Sequence, residues 1–170
     1  TGDTGAAPTA PAFDCTAVPT EPISTREIEG ARGYHDVAFD PLGNLIGSDN
    51  NALLQSTYTG QIAVFVPGLG VVQGMDWLPD GDLVVARDAD ESLQRVNPLA
   101  GASVLATDVA AYGVITGPDG MVYTANYLAI HRIDPATGEK TVIVQQAGLR
   151  PRVLNFSPDF GRLYIGTFQG

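Results

Sequence analysis

Among the side chains that can do chemistry here, His35 comes first, because an imidazole can move a proton or hold a metal near neutral pH. Arg152 carries a permanent charge and a planar fork that takes a carboxylate or phosphate through paired hydrogen bonds. Gln73, Asp49 and Asp88 offer the hard oxygens a divalent cation prefers. Tyr112 and Tyr127 offer rings for stacking, and Asn126 a further polar group. Each has a plainer alternative: His35 bonded to Asp36 or to backbone, Arg152 paired with Asp49 or Asp88, and tyrosines that merely end strands. His131, beside Arg132, reads as a solvated side chain near a rim. The run Asp88-Ala89-Asp90-Glu91 lacks the central glycine and final glutamate of a helix-loop-helix calcium site, and reads as an exposed acidic turn. There is no glycine-rich phosphate loop, no Cys/His zinc spacing and no G-x-S-x-G elbow.

What could bring these residues together is a repeat. Four turn signals recur, Asp40-Pro41-Leu42-Gly43-Asn44, Pro79-Asp80-Gly81-Asp82, Pro118-Asp119-Gly120-Met121 and Pro158-Asp159-Phe160-Gly161, with prolines 38, 39 and 40 residues apart. Proline presets φ for a tight turn, and Asp or Gly tolerates the positive φ that completes it. An alternating strand precedes each turn and another comes after it, as in Met75-Asp76-Trp77 before Pro79 and Leu83-Val84-Val85 beyond it. In the first three units a second hairpin turns at Thr59-Gly60, Ala100-Gly101 and Thr137-Gly138. Four short antiparallel strands per forty or so residues predict an all-β β-propeller with four-stranded blades, not an immunoglobulin-like sandwich. The aromatic residues Phe39, Trp77 and Phe156, each two before its proline, are expected in the core between blades.

The expected boundaries are a linker at 1–24, then blades at about 33–70, 71–109, 110–149 and an incomplete one at 150–170. A full ring would have six or seven blades, so the expected partners include the remaining blades, from a longer chain or a second polypeptide. Ile23-Ser24-Thr25-Arg26-Glu27-Ile28 alternates well enough to close the last blade as its outer strand. Because the first two strands of a blade are antiparallel, the start of one meets the end of the other. His35, Gln73, Tyr112 and Arg152 each stand six residues before their proline, and Asp49, Asp88, Asn126 and Tyr127 stand near second-strand ends. All eight are therefore expected at one mouth of the ring, as ligand-binding residues.

Three phrases carry a family likeness: Gly33-Tyr34-His35-Asp36-Val37-Ala38-Phe39-Asp40, Gln73-Gly74-Met75-Asp76-Trp77-Leu78-Pro79-Asp80-Gly81 and Tyr112-Gly113-Val114-Ile115-Thr116-Gly117-Pro118-Asp119-Gly120. They resemble blades of the SMP-30/gluconolactonase, NHL and streptogramin-lyase-like propellers, over roughly residues 30 to 170. The resemblance implies that the residue six before each proline points into the central channel, where lactonase relatives hold a divalent cation (calcium or magnesium) and lyase relatives use a histidine for acid/base chemistry. On that pattern His35 is the candidate catalytic residue and Asp49, Gln73 and Asp88 the candidate metal ligands. The sequence departs from the lactonase pattern of Glu, Asn and Asp on the inner ring, and Arg152 opposes a cation there. The function expected first is therefore binding of a small polar ligand or an envelope protein; the alternative is a metal-assisted lactonase- or lyase-type enzyme.

Nineteen Asp and Glu against nine Lys and Arg give a net charge of −10, which disfavours nucleic acid, and no apolar run is long enough for a membrane-spanning helix. Thr1 to Ser24 is rich in Thr, Gly, Ala and Pro and reads as a tether, not a signal peptide. Its Thr-Gly-Asp-Thr-Gly opening resembles spacers of bacterial surface lipoproteins, which implies an extracellular or cell-envelope location, secreted or lipid-tethered. Cys15, the one cysteine, is expected to seek a disulfide partner elsewhere.

Overall fold

A computed structural model describes residues 27–109 and 112–168. The tether, Cys15 and most of the proposed closing strand at 23–28 lie outside them; Glu27 and Ile28, which are described, are not in a strand. Among the described residues there are fourteen strands and no helix. In chain order these are β1 (Val37–Phe39), β2 (Leu45–Ser48), β3 (Ala52–Ser56), β4 (Ile62–Pro67), β5 (Val72–Trp77), β6 (Leu83–Arg87), β7 (Ser92–Asn97), β8 (Gly101–Ala106), β9 (Val114–Thr116), β10 (Val122–Ala125), β11 (Ala129–Ile133), β12 (Lys140–Gln145), β13 (Pro151–Phe156) and β14 (Leu163–Thr167). They form three four-stranded meanders, β1–β4, β5–β8 and β9–β12, and the pair β13–β14, all antiparallel. This is the blade architecture of a β-propeller. No helix among these residues is long and apolar enough to cross a membrane.

The proline turns place the same backbone conformation at the same step. Gly43, Gly81 and Gly120 have φ of 81°, 92° and 73°, each two residues after its proline. In the fourth turn that place falls on Phe160, at φ 55°, and not on Gly161 as the Pro-Asp-Gly pattern suggests. The turns are also tied to the third strand of their own blade. Asp40 accepts from Gln55 Nε2 at 2.7 Å, Asp82 from Arg95 Nε at 2.5 Å, and Asp119 from Arg132 Nη2 at 2.8 Å. Gln55, Arg95 and Arg132 pair with Ile46, Val84 and Tyr123, each five residues after its proline, so a single register rule places all three clasps.

Neighbouring blades stack face to face through apolar cores. The first two share Ile46, Leu53, Val72, Leu83, Val85 and Val96; the next pair shares Val84, Leu93, Val109, Val122 and Ile133; the last shares Ala125, Ile130 and Leu154. Fully burying a side chain of this size contributes about 1.5–3 kcal/mol, so the interfaces between blades hold the array together. Two of the three repeated aromatics behave as expected. Trp77 packs edge-on against Phe65 at 6.4 Å, and Phe156 against Tyr123 at 5.1 Å. Phe39 does not: it is 63 % exposed, because it points from the face of β1 that turns away from the second blade.

The first strands β1, β5, β9 and β13 lie side by side along the inside of the array. Their close approach depends on glycine. A Cβ on Gly74 would sit 2.5 Å from the Tyr112 carbonyl oxygen, and one on Gly113 would sit 2.8 Å from that of Arg152. These inner strands have an edge with no strand beside it, and two carboxylates satisfy its N–H groups from the preceding blade. Asp36 accepts the Met75 N–H at 2.9 Å, and Asp76 accepts the Thr116 N–H at 2.6 Å.

Candidate functional site

The inner strands β5, β9 and β13, with the residues just before β1 and β9, form the wall of one cavity of about 370 Å³, and His35, Gln73, Tyr112 and Arg152 all lie on it. Each blade supplies one residue. Two are presented by β-bulges: the β5–β6 register slips between Val72 and Gly74, and the β13–β14 register between Pro151 and Val153. Gln73 and Arg152 are thus the extra, unpaired residues of their strands, and a bulge re-aims a side chain out of the regular alternation. His35 and Tyr112 stand just before β1 and β9.

Arg152 takes neither Asp49 nor Asp88 as a partner. Among the described residues it makes no ion pair and no hydrogen bond to protein; its Cζ lies 3.9 Å from the centroid of the Tyr112 ring and 5.5 Å from that of Phe168. Tyr112 is buried and meets Tyr127 edge-on at 5.0 Å. Burial first, then the hydrogen bond to Tyr127 and the nearby charge of Asp88, push the Tyr112 hydroxyl up to about 12, against the pull of Arg152. Tyr112 therefore stays a neutral phenol across the physiological range. His35 is exposed on the wall and is not bonded to Asp36, whose two oxygens accept the Val37 and Met75 N–H groups.

The second-strand ends behave differently. Asp49 accepts the Asn51 and Ala52 N–H groups at 2.9 and 2.8 Å, and these bonds hold its carboxyl below the usual range. Asn126 does the same for Leu128 and Ala129, at 2.9 and 2.8 Å. Both are turn-forming residues off the cavity wall. Asp88 is exposed beside the Arg87–Asp90 ion pair and is also off the wall. Tyr127, 53 % exposed, reaches the site only through Tyr112. The proposed metal ligands Asp49, Gln73 and Asp88 are thus not gathered, and among the described residues no group of three His, Cys, Asp or Glu could hold a metal ion. The residues present do not fit the divalent cation implied by the family resemblance.

His131 corrects the sequence reading. It is only 6 % exposed, on β11, with Nε2 3.2 Å from the Asn126 amide nitrogen and Nδ1 without a partner among the described residues. Burial, and secondarily Lys140, hold its pKa below the ordinary value, so it is a neutral structural side chain.

Three polar wall residues were not singled out from the sequence: Asp36, Asp76 and Asn155. Asp76, Ile115 and Asn155 each stand three residues before their prolines. Asp76 and Asn155 stand three residues after Gln73 and Arg152, an odd step that a period-two face skips, so alternation alone does not select them. The β-bulges at Gln73 and Arg152 break that alternation and bring both sets to one wall. Burial, with the charge of Asp36 as a smaller cause, holds the Asp76 carboxyl above the usual range despite its two backbone hydrogen bonds.

No protein-family model matches the chain, and no curated protein matches it. Solved structures do. Virginiamycin B lyase from Staphylococcus aureus superposes with a TM-score of 0.66 at 18 % identity, over 78 % of this chain and 48 % of that one. A gluconolactonase from Xanthomonas campestris gives 0.69 at 17 %, over 79 % and 54 %. An auxiliary nutrient binding protein from Bacteroides thetaiotaomicron gives 0.67 at 18 %, over 79 % and 36 %. The fold is therefore the β-propeller fold of these structures. The chain spans about half the length of the first two structures and about a third of the third.

Proposed function

We propose that this chain contributes one wall of a propeller channel, of six or seven blades when complete, and binds a small polar ligand at the channel mouth. The observation that carries this reading is the convergence of His35, Gln73, Tyr112 and Arg152, one from each blade, on a single cavity. Four polar or amphipathic side chains, two on inner strands and two just before them, around an open concavity suit ligand recognition. A neighbour of similar fold described as an auxiliary nutrient binding protein is compatible with this reading. The tether-like composition of residues 1–24 and its lipoprotein-like opening support an exported or surface-held location in a bacterial envelope.

A second reading, a lactone-opening or lyase-type enzyme, is favoured by His35, which stands exposed on the wall with no protein partner among the described residues, and by the lyase and gluconolactonase neighbours. In that reading His35 moves the proton. Saturation-transfer NMR of the intact native polypeptide against a panel of neutral sugars and small organic acids separates the outcomes. Binders should compete with one another, and His35→Ala and Arg152→Ala should each lose them while Tm stays within about 3 °C. Wild-type binding by both variants would remove the channel mouth as the site. Turnover of a lactone that disappears in His35→Ala would favour the enzyme.

A further inference from the structure

We infer that the cavity recognises a ligand through a single carboxylate seated on Arg152; the inference rests on the channel-mouth reading above and names the chemistry of that ligand. The argument starts from how the arginines are used. Arg87 pairs with Asp90 at 3.1 Å, Arg132 with Asp119 at 2.8 Å, and Arg95 with both Asp80 and Asp82. Arg32, Arg150, Arg152 and Arg162 make no ion pair among the described residues, and of these four it is Arg152 that lines the cavity. Arg152, on the wall of the cavity beside the inner strands, has no carboxylate among the described residues. Its guanidinium carbon lies instead over the Tyr112 ring, 3.9 Å from the centroid, with the Phe168 ring at 5.5 Å. Stacking fixes the plane of a guanidinium without using its N–H donors, which remain along the edge. A β-bulge at Arg152 and the buried, neutral phenol of Tyr112 hold that plane in place. The result is a held planar fork with no acceptor among the described residues, the complement of a carboxylate.

The rest of the wall selects among anions. Asp36 and Asp76 line the same cavity, and the chain carries a net charge of −10, so a dianionic phosphate meets repulsion that one guanidinium does not offset. A monocarboxylate carries half that charge and matches the fork in shape. Asp36 and Asp76 each spend one lone pair per oxygen on backbone N–H groups and keep the others, so they accept hydroxyl or amide donors from the body of the ligand. Gln73 and His35 add a donor and an acceptor on the same wall. The ligand class is a small monocarboxylate with hydrogen-bond donors.

The test uses matched pairs on the intact native polypeptide: acetate against acetamide and lactate against lactamide, with inorganic phosphate alongside, followed through the Arg152 Nε–H signal by NMR. Both acids should shift that signal saturably, lactate more tightly than acetate, while the amides and phosphate should not. Arg152→Gln should weaken lactate about tenfold or more, and Arg152→Lys should restore only part of the loss. Amides that bind as well as their acids, phosphate that binds more tightly than lactate, or acids that leave the Arg152 signal unmoved would each overturn the inference. If lactamide binding persists in Arg152→Gln but is lost in His35→Ala, the carboxylate inference fails and the channel-mouth reading survives; if no probe responds to either variant, both fail.

Discussion

Asp76 on the second blade accepts the backbone N–H of Thr116 on the third at 2.6 Å, while its other oxygen accepts the N–H of Trp77 at 2.9 Å. One half-buried carboxylate thereby closes the open edge of one inner strand and splints its own. Asp76→Ala leaves both amides without an acceptor in a site of low water access, which costs about 2 kcal/mol. The expected result is a lower urea midpoint with an unchanged slope. A midpoint equal to wild type would show that water replaces the carboxylate there.

The same residue predicts a pH dependence of unusual sign. Burial, with Asp36 adding to it, raises the folded-state pKa of Asp76 above its ordinary 3.8. Its protonated form is therefore the one the fold favours. Its contribution to stability is full below 3.8 and is lost as pH rises through the folded value. Asp82 works oppositely: the Arg95 hydrogen bond lowers its pKa below 3.8, so its contribution is present above that value and is lost on acidification. Asp76→Asn cannot ionise and keeps one acceptor. The stability of wild type relative to Asp76→Asn should fall as pH rises from below 3.8 and then level off. Urea titrations at a series of pH values measure the difference, and a difference that rises over that window would show that the site is not desolvated.

Much of the fold was legible because a proline turn and a period of about forty residues leave few architectures open. That His35, Gln73, Tyr112 and Arg152 share one cavity wall was legible for the same reason, since counting six back from each proline selects them. What was not legible depends on contacts between blades. A β-bulge has no fixed sequence sign, so the re-aiming of Gln73 and Arg152 could not be read. Asp36 and Asp76 perform one task from different offsets, five and three residues before their prolines, which hides them from a search for equivalent positions. His131 looked solvated beside Arg132, yet alternation along β11 turns the two to opposite faces, and only the stacking of sheets decides which face is buried. Asp49 and Asn126 have the residue types of ligand contacts, but a short polar side chain at a turn is captured first by the backbone N–H groups two and three residues on.

The last prediction joins stability to the site. Gly113 precedes β9 by one residue, where a Cβ would lie 2.8 Å from the Arg152 carbonyl oxygen and 3.3 Å from the Leu154 nitrogen. Both obstacles are backbone, so no side chain can swing aside, and Gly113→Ala must move β13 away from β9. Overpacking of this kind costs about 2 kcal/mol or more. Gly161→Ala is the control, since its Cβ would meet only the side chain of Asp159 at 3.4 Å on an exposed turn, and a change within about 0.5 kcal/mol is expected. Because the displaced strand carries Arg152, Gly113→Ala should also lift the guanidinium from the Tyr112 ring and shift the Arg152 Nε–H signal, whereas Gly161→Ala should leave it in place. A Gly113→Ala protein with wild-type stability and an unmoved Arg152 signal would mean that the inner strands do not pack as closely as this, and the cavity wall would have to be redrawn.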